Sequence, residues 1–180
     1  MRAFLTFEMP REIIDYLRTV VDRMAPLVKG VKWVRDEGIH VTVKFFGEIE
    51  EKQVTAIHEA IAPIGEKHAP FLASLKQIDA FPDKRRARVI IVKLDKGAET
   101  MREIVSEAEE QFSALGFARE KREFTPHLTL GRRRVPEAYP GDPPIVEPRE
   151  FRVKQMVLYQ STLTPGGAVY NPLWKITLGG

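Results

Sequence analysis

The feature that most constrains this chain is a short pattern that occurs twice, as His-Val-Thr-Val at 40–43 and as His-Leu-Thr-Leu at 127–130. In a β-strand, successive side chains point to opposite faces. Each copy would therefore place its histidine and threonine on one face and its two apolar residues on the other. The apolar pair can enter a core while the polar pair faces a cleft. The pattern predicts two half-buried strands, each presenting an imidazole and a hydroxyl.

The number and spacing of these copies favour a shared site. The chain has only four histidines among 180 residues, and two of them lie in these matching contexts. The copies are separated by nearly half the chain, which predicts two similar halves that each contribute one His-Thr strand. A single copy is more simply explained as an ordinary alternating strand. Two evenly placed copies favour a functional site.

Composition limits the classes of protein to which this chain can belong. With 43% hydrophobic and 29% charged residues, 180 residues are expected to form one compact domain with a real core. No apolar run approaches the roughly 20 residues of a membrane span, and the first ten residues do not resemble a signal peptide. The absence of cysteine excludes disulfides and thiol nucleophiles. A cytoplasmic location is the default expectation, and the net charge of +3 is compatible with an anionic partner.

Hydrophobic periodicity predicts three helices and seven or eight strands. The helices are expected to run from Pro10 to near Pro26, from Glu50 to Ile64 and from Ala98 to Leu115. The strands are expected at Ala3–Glu8, Val31–Val34, Ile39–Phe46, Phe71–Ile78, Arg88–Leu94, the second motif, Phe151–Tyr159 and Tyr170–Leu178. Helices and strands do not alternate strictly, which favours an α+β fold with largely antiparallel sheets.

Two further segments and the two remaining histidines receive structural interpretations. The proline-rich stretch 135–148 is expected to be a long irregular loop, since it holds five prolines. The basic stretch 81–86 is expected to be a solvated turn, with contact to RNA phosphate as the alternative. His58 and His68 are expected to have structural or surface roles.

The paired histidines and threonines suit chemistry at phosphorus. Because imidazole titrates near neutral pH, one histidine can act as a general base while the other acts as a general acid. A threonine hydroxyl two residues away on the same face can donate a hydrogen bond to a non-bridging phosphate oxygen. No phosphate-binding glycine loop and no Gly-x-Ser-x-Gly elbow occurs in the sequence.

The two motifs resemble the paired His-x-Thr-x motifs of the 2H phosphoesterase superfamily. The match is nearest to its RNA 2′,3′-cyclic phosphodiesterase branch, historically called 2′-5′ RNA ligases, and covers essentially the whole chain. Other segments share the resemblance: Arg2–Leu5, Phe81-Pro82, Pro126, Leu158–Ser161 and Tyr170 after a glycine turn. The resemblance implies an α+β fold, a single bilobal domain over residues 1–180, with two pseudo-symmetric lobes, helices packed outside and a central groove.

The resemblance also implies a reaction and a set of roles. The reaction is hydrolysis of an RNA 2′,3′-cyclic phosphate end to a 2′-phosphomonoester, with no metal and no cofactor. His40 would be the proton donor to the leaving 3′ oxygen, and His127 the proton acceptor that activates water. Thr42 and Thr129 would bind phosphate oxygens. Arg132 matches a basic residue that follows the second motif, which implies contact with phosphate, although strict alternation would place it on the face opposite to His127. Substrates would include tRNA halves, and the protein would be a monomer without membrane association.

Several alternatives stay open at this point. The same site could run in reverse and join a 5′-hydroxyl to the cyclic phosphate through a 2′-5′ linkage. The substrate could instead be another small cyclic phosphate or a 2′-5′ oligonucleotide. The chain could be a non-catalytic RNA-binding module. A metal site built on the two histidines is disfavoured, because no carboxylate lies near either motif in a suitable pattern and there is no cysteine.

Overall fold

The computed structural model of the protein describes residues 1–180 and contains three α-helices, nine β-strands and two short 3-10 helices. The α-helices are α1 (Arg11–Met24), α2 (Glu51–Lys67) and α3 (Ala98–Ala114). The strands are β1 (Arg2–Phe7), β2 (Val31–Trp33), β3 (Val41–Glu48), β4 (Phe71–Phe81), β5 (Ala87–Leu94), β6 (His127–Glu137), β7 (Glu150–Val153), β8 (Gln155–Thr164) and β9 (Gly167–Thr177). The 3-10 helices span Asp36–Gly38 and Lys84–Arg86.

The strands form two antiparallel sheets, which confirms the predicted α+β fold. Sheet A has the order β3-β1-β8-β9, and sheet B has the order β2-β6-β5-β4-β7. The two motif strands, β3 and β6, lie in different sheets. Each is paired with an earlier strand from which an α-helix separates it in the chain: β3 pairs with β1, which precedes α1, and β6 pairs with β5, which precedes α3. The sheets are therefore arranged alike, as expected for two related lobes.

The lobes do not correspond to the two halves of the chain. Sheet A combines β1 and β3 from the N-terminal part with β8 and β9 from the C-terminal end. Sheet B takes its edge strand β2 from the N-terminal part. Each sheet therefore contains strands from distant parts of the chain, and both sheets are needed to place the two motifs.

Apolar residues at helical and strand spacing build the core. The buried face of α1 has its side chains at i, i+4, i+7, i+8 and i+11: Ile13, Leu17, Val20, Val21 and Met24. They belong to one cluster of 41 buried residues that includes members of both sheets and all three α-helices. No helix of the protein is both long and apolar enough to cross a membrane.

Two predicted segments differ from the structure. The stretch Phe151–Tyr159, predicted as one strand, is divided at Lys154 into β7 of sheet B and β8 of sheet A. The alternation is interrupted here by two consecutive polar residues, Lys154 and Gln155, but no glycine or proline marks a turn, so the sequence does not indicate a change of sheet. The predicted loop 135–148 is also shorter than expected, because residues 135–137 continue β6. The buried Arg133 guanidinium donates to the Glu137 carbonyl at 2.9 Å and holds this extension.

Candidate active site

The two motif histidines are held in the same way. His40 follows the 3-10 helix at Asp36–Gly38, and its Nδ1 lies 2.9 Å from the Glu37 carbonyl oxygen. His127 opens β6, and its Nδ1 lies 2.7 Å from the Thr125 carbonyl oxygen. A carbonyl oxygen can only accept, so each Nδ1 carries the hydrogen and donates it. In both neutral imidazoles Nε2 is therefore the unprotonated nitrogen, able to accept a proton.

The structure brings the predicted site residues together in one groove of about 330 Å³. All five line it: His40, Thr42, His127, Thr129 and Arg132. Residues that the sequence analysis did not assign to a site line it as well: Phe4, Lys32, Arg35, Phe45, Tyr170 and the hairpin tip Gly166–Ala168. The family resemblance had included the segments that contain Phe4 and Tyr170. The resemblance had also included the glycine turn at the hairpin tip, whereas Lys32 and Arg35 carried no sequence signal.

A β-bulge in β6 explains how Arg132 reaches the groove. Thr129 is opposite Ile91, but Gly131 is opposite Ile90, so Leu130 is an extra residue in β6. The extra residue reverses the alternation that follows it. Arg132 then shares a face with Thr129, and the expectation that it would lie on the opposite face is wrong. Gly131 makes room for the neighbouring β2, because a Cβ at this position would lie 2.4 Å from a methyl carbon of Val31.

The first motif strand contains an equivalent bulge. Thr42 is opposite Thr6, whereas Lys44 is opposite Leu5, so Val43 is the extra residue in β3. This bulge directs Phe45 into the groove, where its side chain is 61% exposed. Phe45 and Arg132 therefore occupy corresponding positions, each five residues after its motif histidine.

Burial lowers the pKa of both histidines. The pKa of His40 falls to about 4, chiefly because burial disfavours the charged imidazole, with a smaller contribution from the positive charge of Arg132. Its hydrogen bond to the Glu37 carbonyl opposes this shift. The pKa of His127 is lowered by the same causes, with Thr125 supplying the opposing hydrogen bond. Both imidazoles are neutral at pH 7 in the free protein.

The two histidines have different charged neighbours. Phe7 is opposite Val41, so Glu8 follows on the β1 side beside His40, and both residues line a second cavity of about 390 Å³. The Glu8 carboxylate accepts hydrogen bonds from the Tyr159 hydroxyl at 2.9 Å and from the Gln155 amide.

The corresponding neighbour of His127 is a cation. Lys93 is directly opposite His127 in the β5–β6 ladder. Its ammonium lies 2.9 Å from the Asp79 carboxylate, which offsets its charge. The charge of Glu8 is offset as well, because the Lys175 ammonium lies 3.9 Å from its carboxylate.

Aromatic rings pack against the imidazoles of both motif histidines. The other two histidines lie outside the groove. The Phe4 ring centroid is 5.3 Å from that of His40, and the Phe81 ring meets His127 edge-on at 4.9 Å. His58 packs against Trp174, and His68 Nε2 lies 3.0 Å from a Glu107 carboxylate oxygen. Neither of these two histidines lines the groove.

Comparison with known proteins relates both the sequence and the fold to one family. A sequence model of the 2′-5′ RNA ligase superfamily matches residues 10–164. An RNA 2′,3′-cyclic phosphodiesterase of Methanocaldococcus jannaschii is 36% identical, over 95% of this chain and 97% of its own. One of Methanothermobacter thermautotrophicus is 29% identical, over 96% of each chain.

Solved structures agree with the sequence relatives. A crystal structure of a Thermus thermophilus protein superposes with a TM-score of 0.87 at 28% identity, covering 100% of this chain and 99% of that chain. Escherichia coli LigT in complex with 3′-AMP has the same fold, with a TM-score of 0.84 at 23% identity over 99% of this chain and 98% of its own. The superfamily match spans most of the chain and the first of the sequence relatives covers nearly all of it, so the chain belongs to the 2′-5′ RNA ligase superfamily, a group of 2H phosphoesterases.

Proposed function

We propose that this protein is an RNA 2′,3′-cyclic phosphodiesterase that opens a terminal cyclic phosphate to a 2′-phosphomonoester by two-histidine acid–base catalysis. The observation that carries the proposal is the matched pair His40 and His127. Each donates through Nδ1 to a backbone carbonyl, and both line one groove together with Thr42 and Thr129. The relatives named RNA 2′,3′-cyclic phosphodiesterase support the choice of substrate class.

In the proposed reaction, His127 Nε2 accepts a proton from water as the water oxygen attacks phosphorus. The bond between phosphorus and the 3′ oxygen breaks, and His40 donates the proton that the leaving oxygen needs. The hydroxyls of Thr42 and Thr129 donate to non-bridging oxygens, and the Arg132 guanidinium offsets the charge that develops there. The product carries a 2′-phosphate and a 3′-hydroxyl. Exchange with solvent returns a proton to His40 and removes one from His127.

The assignment of donor and acceptor follows the family resemblance, since burial and the same cation, Arg132, lower the pKa of both imidazoles. His40 is neutral in the free protein at pH 7, so the anionic substrate has to favour its protonated form.

The proposal also covers the oligomeric state, the metal requirement and the joining reaction that were expected from the sequence. One chain supplies both motifs, which supports a monomer acting as a single bilobal unit of 180 residues. The proposed chemistry assigns both proton transfers to the histidines and needs no metal ion. A 5′-hydroxyl that attacks the cyclic phosphate in place of water would expel the same 3′ oxygen and form a 2′-5′ linkage, so joining of tRNA halves is proposed as a second use of the site.

The test is incubation of the protein, with EDTA present, with an RNA oligonucleotide that ends in a 2′,3′-cyclic phosphate. Chromatography identifies the phosphate position in the product. The wild type is expected to form a 2′-phosphate, and His40→Ala and His127→Ala are each expected to lower turnover by a factor of at least about 100. Circular dichroism melts of the variants verify that folding is retained.

Other outcomes point to other functions. If RNA binds with equal affinity to the wild type and both variants but no product forms, the protein is a binding module. If turnover requires added metal, the two-histidine mechanism is wrong. If RNA is not a substrate but a small cyclic nucleotide is hydrolysed, the reaction class survives and the RNA assignment does not.

A further inference from the structure

The carbonyl that orients His40 lies in a short segment that two arginines tie to α1. His40 Nδ1 donates to the Glu37 carbonyl at 2.9 Å, and Glu37 belongs to the 3-10 helix that begins at Asp36. The carboxylate of Asp36 accepts at Oδ1 from Arg18 Nε and at Oδ2 from Arg11 Nη2, each at 2.6 Å. Both carboxylate oxygens of the residue next to Glu37 are therefore held by charge-assisted hydrogen bonds.

Both arginines belong to one firmly packed element. Arg11 and Arg18 are seven positions apart, which places them on the same face of α1, and the opposite face of this helix is buried in the core. Arg11 also donates to the Asp15 carboxylate at 2.8 Å, and Arg18 also donates to the Val34 carbonyl. These second contacts fix each guanidinium, so Asp36 is attached to the core through α1 as well as through its own backbone.

The second motif restrains its orienting carbonyl by a different means. The carbonyl that accepts from His127 belongs to Thr125, and Pro126 follows it directly. A residue before proline is confined to extended backbone conformations, so the chain itself restrains this carbonyl. Glu37 is followed instead by Gly38, the residue type that restricts the backbone least. A restraint supplied by side chains is therefore of greater consequence at the first motif.

We propose that Asp36 and Arg18 are positioning residues for catalysis by His40. Their ion pair, supported by Arg11, holds the Glu37 carbonyl in place, and this carbonyl keeps the imidazole hydrogen on Nδ1 and leaves Nε2 to exchange a proton with the substrate. This inference rests on the proposed function, since it concerns the orientation of the proton donor. None of Asp36, Arg18 and Arg11 lines the groove, so their influence reaches the substrate only through neighbouring residues.

Steady-state kinetics of Asp36→Asn with the cyclic-phosphate RNA test the role of the carboxylate. The substitution keeps the size of the side chain and removes its charge. A misoriented proton donor affects the chemical step more than binding, so kcat is expected to fall about 10- to 100-fold with little change in KM. Asp36→Glu keeps the carboxylate and is expected to recover most of this loss. Glu99→Gln, which removes the carboxylate from an exposed pair with Arg102 on α3, is the matched control.

Nuclear magnetic resonance of the free protein keeps this inference separate from the proposed function, because it needs no turnover. The nitrogen chemical shifts of neutral His40 report which ring nitrogen carries the hydrogen. At pH 7 the wild type and Glu99→Gln are expected to carry it on Nδ1, whereas Asp36→Asn is expected to show both tautomers, with His127 unchanged.

Three results would each overturn the inference: an unchanged His40 spectrum in Asp36→Asn, an unchanged kcat, or a rise in KM alone. Circular dichroism melts verify that the variants are folded. If the wild type does not hydrolyse the RNA, the proposed function is wrong, and the spectra alone then decide whether the ion pair orients His40.

Discussion

The ammonium of Lys44 lies 2.7 Å from a carboxylate oxygen of Glu109, and the two side chains are only 3% and 14% exposed. The same ammonium donates to the Ala118 carbonyl at 2.8 Å. Lys44 belongs to β3, two residues after Thr42, whereas Glu109 lies on α3 and Ala118 lies in the segment that leads to β6. The pair therefore connects the strand of the first motif to the chain segment that delivers the second.

Replacement of Lys44 by methionine is expected to lower the free energy of unfolding by about 3 kcal/mol, because it leaves the Glu109 carboxylate buried without its partner. Urea denaturation measures this loss. Lys96→Met is the matched control, since its pair with Glu150 is half-exposed and is expected to contribute less than about 1 kcal/mol. A loss below about 1 kcal/mol in Lys44→Met would show that the pair does not stabilise the fold.

Stability at acid pH is expected to depend on His40. Its pKa is about 4 in the folded protein, because burial disfavours the charged ring, against 6.5 for an imidazole that is not buried. As pH falls from 6.5 to 4, the unfolded chain binds a proton that the folded chain excludes, so the wild type loses stability in this window.

His40→Gln removes that loss, so its stability relative to the wild type is expected to rise as pH is lowered from 7 to 4, by up to about 3 kcal/mol. Urea unfolding at a series of pH values measures the difference. His58→Gln, whose side chain lies outside the groove, provides the comparison. A difference between wild type and His40→Gln that stays constant across this range would contradict the assigned pKa.

Strand geometry explains which site residues could be predicted from the sequence and which could not. His40, Thr42, His127 and Thr129 could be placed in one groove because alternation is regular within each motif. Regularity ends at the last residue of each motif, where the two bulges lie. A bulge leaves no mark in composition, so Arg132 was placed on the wrong face.

The orientation of the Phe45-Phe46 pair and the change of sheet at Lys154 could not be predicted from the sequence either, because both depend on how neighbouring strands pair. Either ring of the Phe45-Phe46 pair could have faced the core, and the bulge at Val43 decides which one does. The change of sheet at Lys154 depends on which neighbouring strand is available for pairing, and this is a tertiary property. The helices were placed to within about three residues because their buried faces recur over several turns.

The charge beside His40 is expected to affect the pH dependence of turnover. The proposed mechanism predicts a bell-shaped profile in which the lowered histidine pKa values place the optimum below pH 6.5. Glu8→Gln removes a negative charge from the second cavity that His40 also lines, and the other charged residues lining that cavity, Arg11, Asp36 and Glu37, are unchanged. The limb of the profile that reports His40 is expected to move to lower pH.

Nuclear magnetic resonance titration of the four histidines provides a direct measurement in the free protein. The His40 signal is expected to titrate at lower pH in Glu8→Gln than in the wild type, while His127 titrates unchanged. Glu12→Gln, at an exposed position of α1, is the control. An unchanged His40 titration would mean that Glu8 supports the fold around Tyr159 without influencing the imidazole.

Substitutions of Arg132 and Arg134 test whether the bulge in β6 directs the Arg132 side chain into the groove. Arg132→Met is expected to lower kcat/KM by about 10- to 100-fold, the loss typical of a hydrogen bond to a charged group. Arg134→Met, which removes an equal charge two residues further along and outside the groove, is expected to change it less than about threefold. Steady-state kinetics with the cyclic-phosphate RNA measure both variants. Equal effects would indicate a general charge contribution in place of a specific contact.

The exchange of strands between the lobes has a consequence for protein synthesis. β1 lies between β3 and β8, yet β8 and β9 are made long after β1 and β3. Until β8 has been made, β3 is the only strand available to pair with β1 in sheet A, and an open strand edge is prone to pairing with other chains. The groove can therefore be complete only after the β8–β9 hairpin has emerged from the ribosome, and removal of that hairpin is expected to take support from His40, which lies far ahead of it in the sequence.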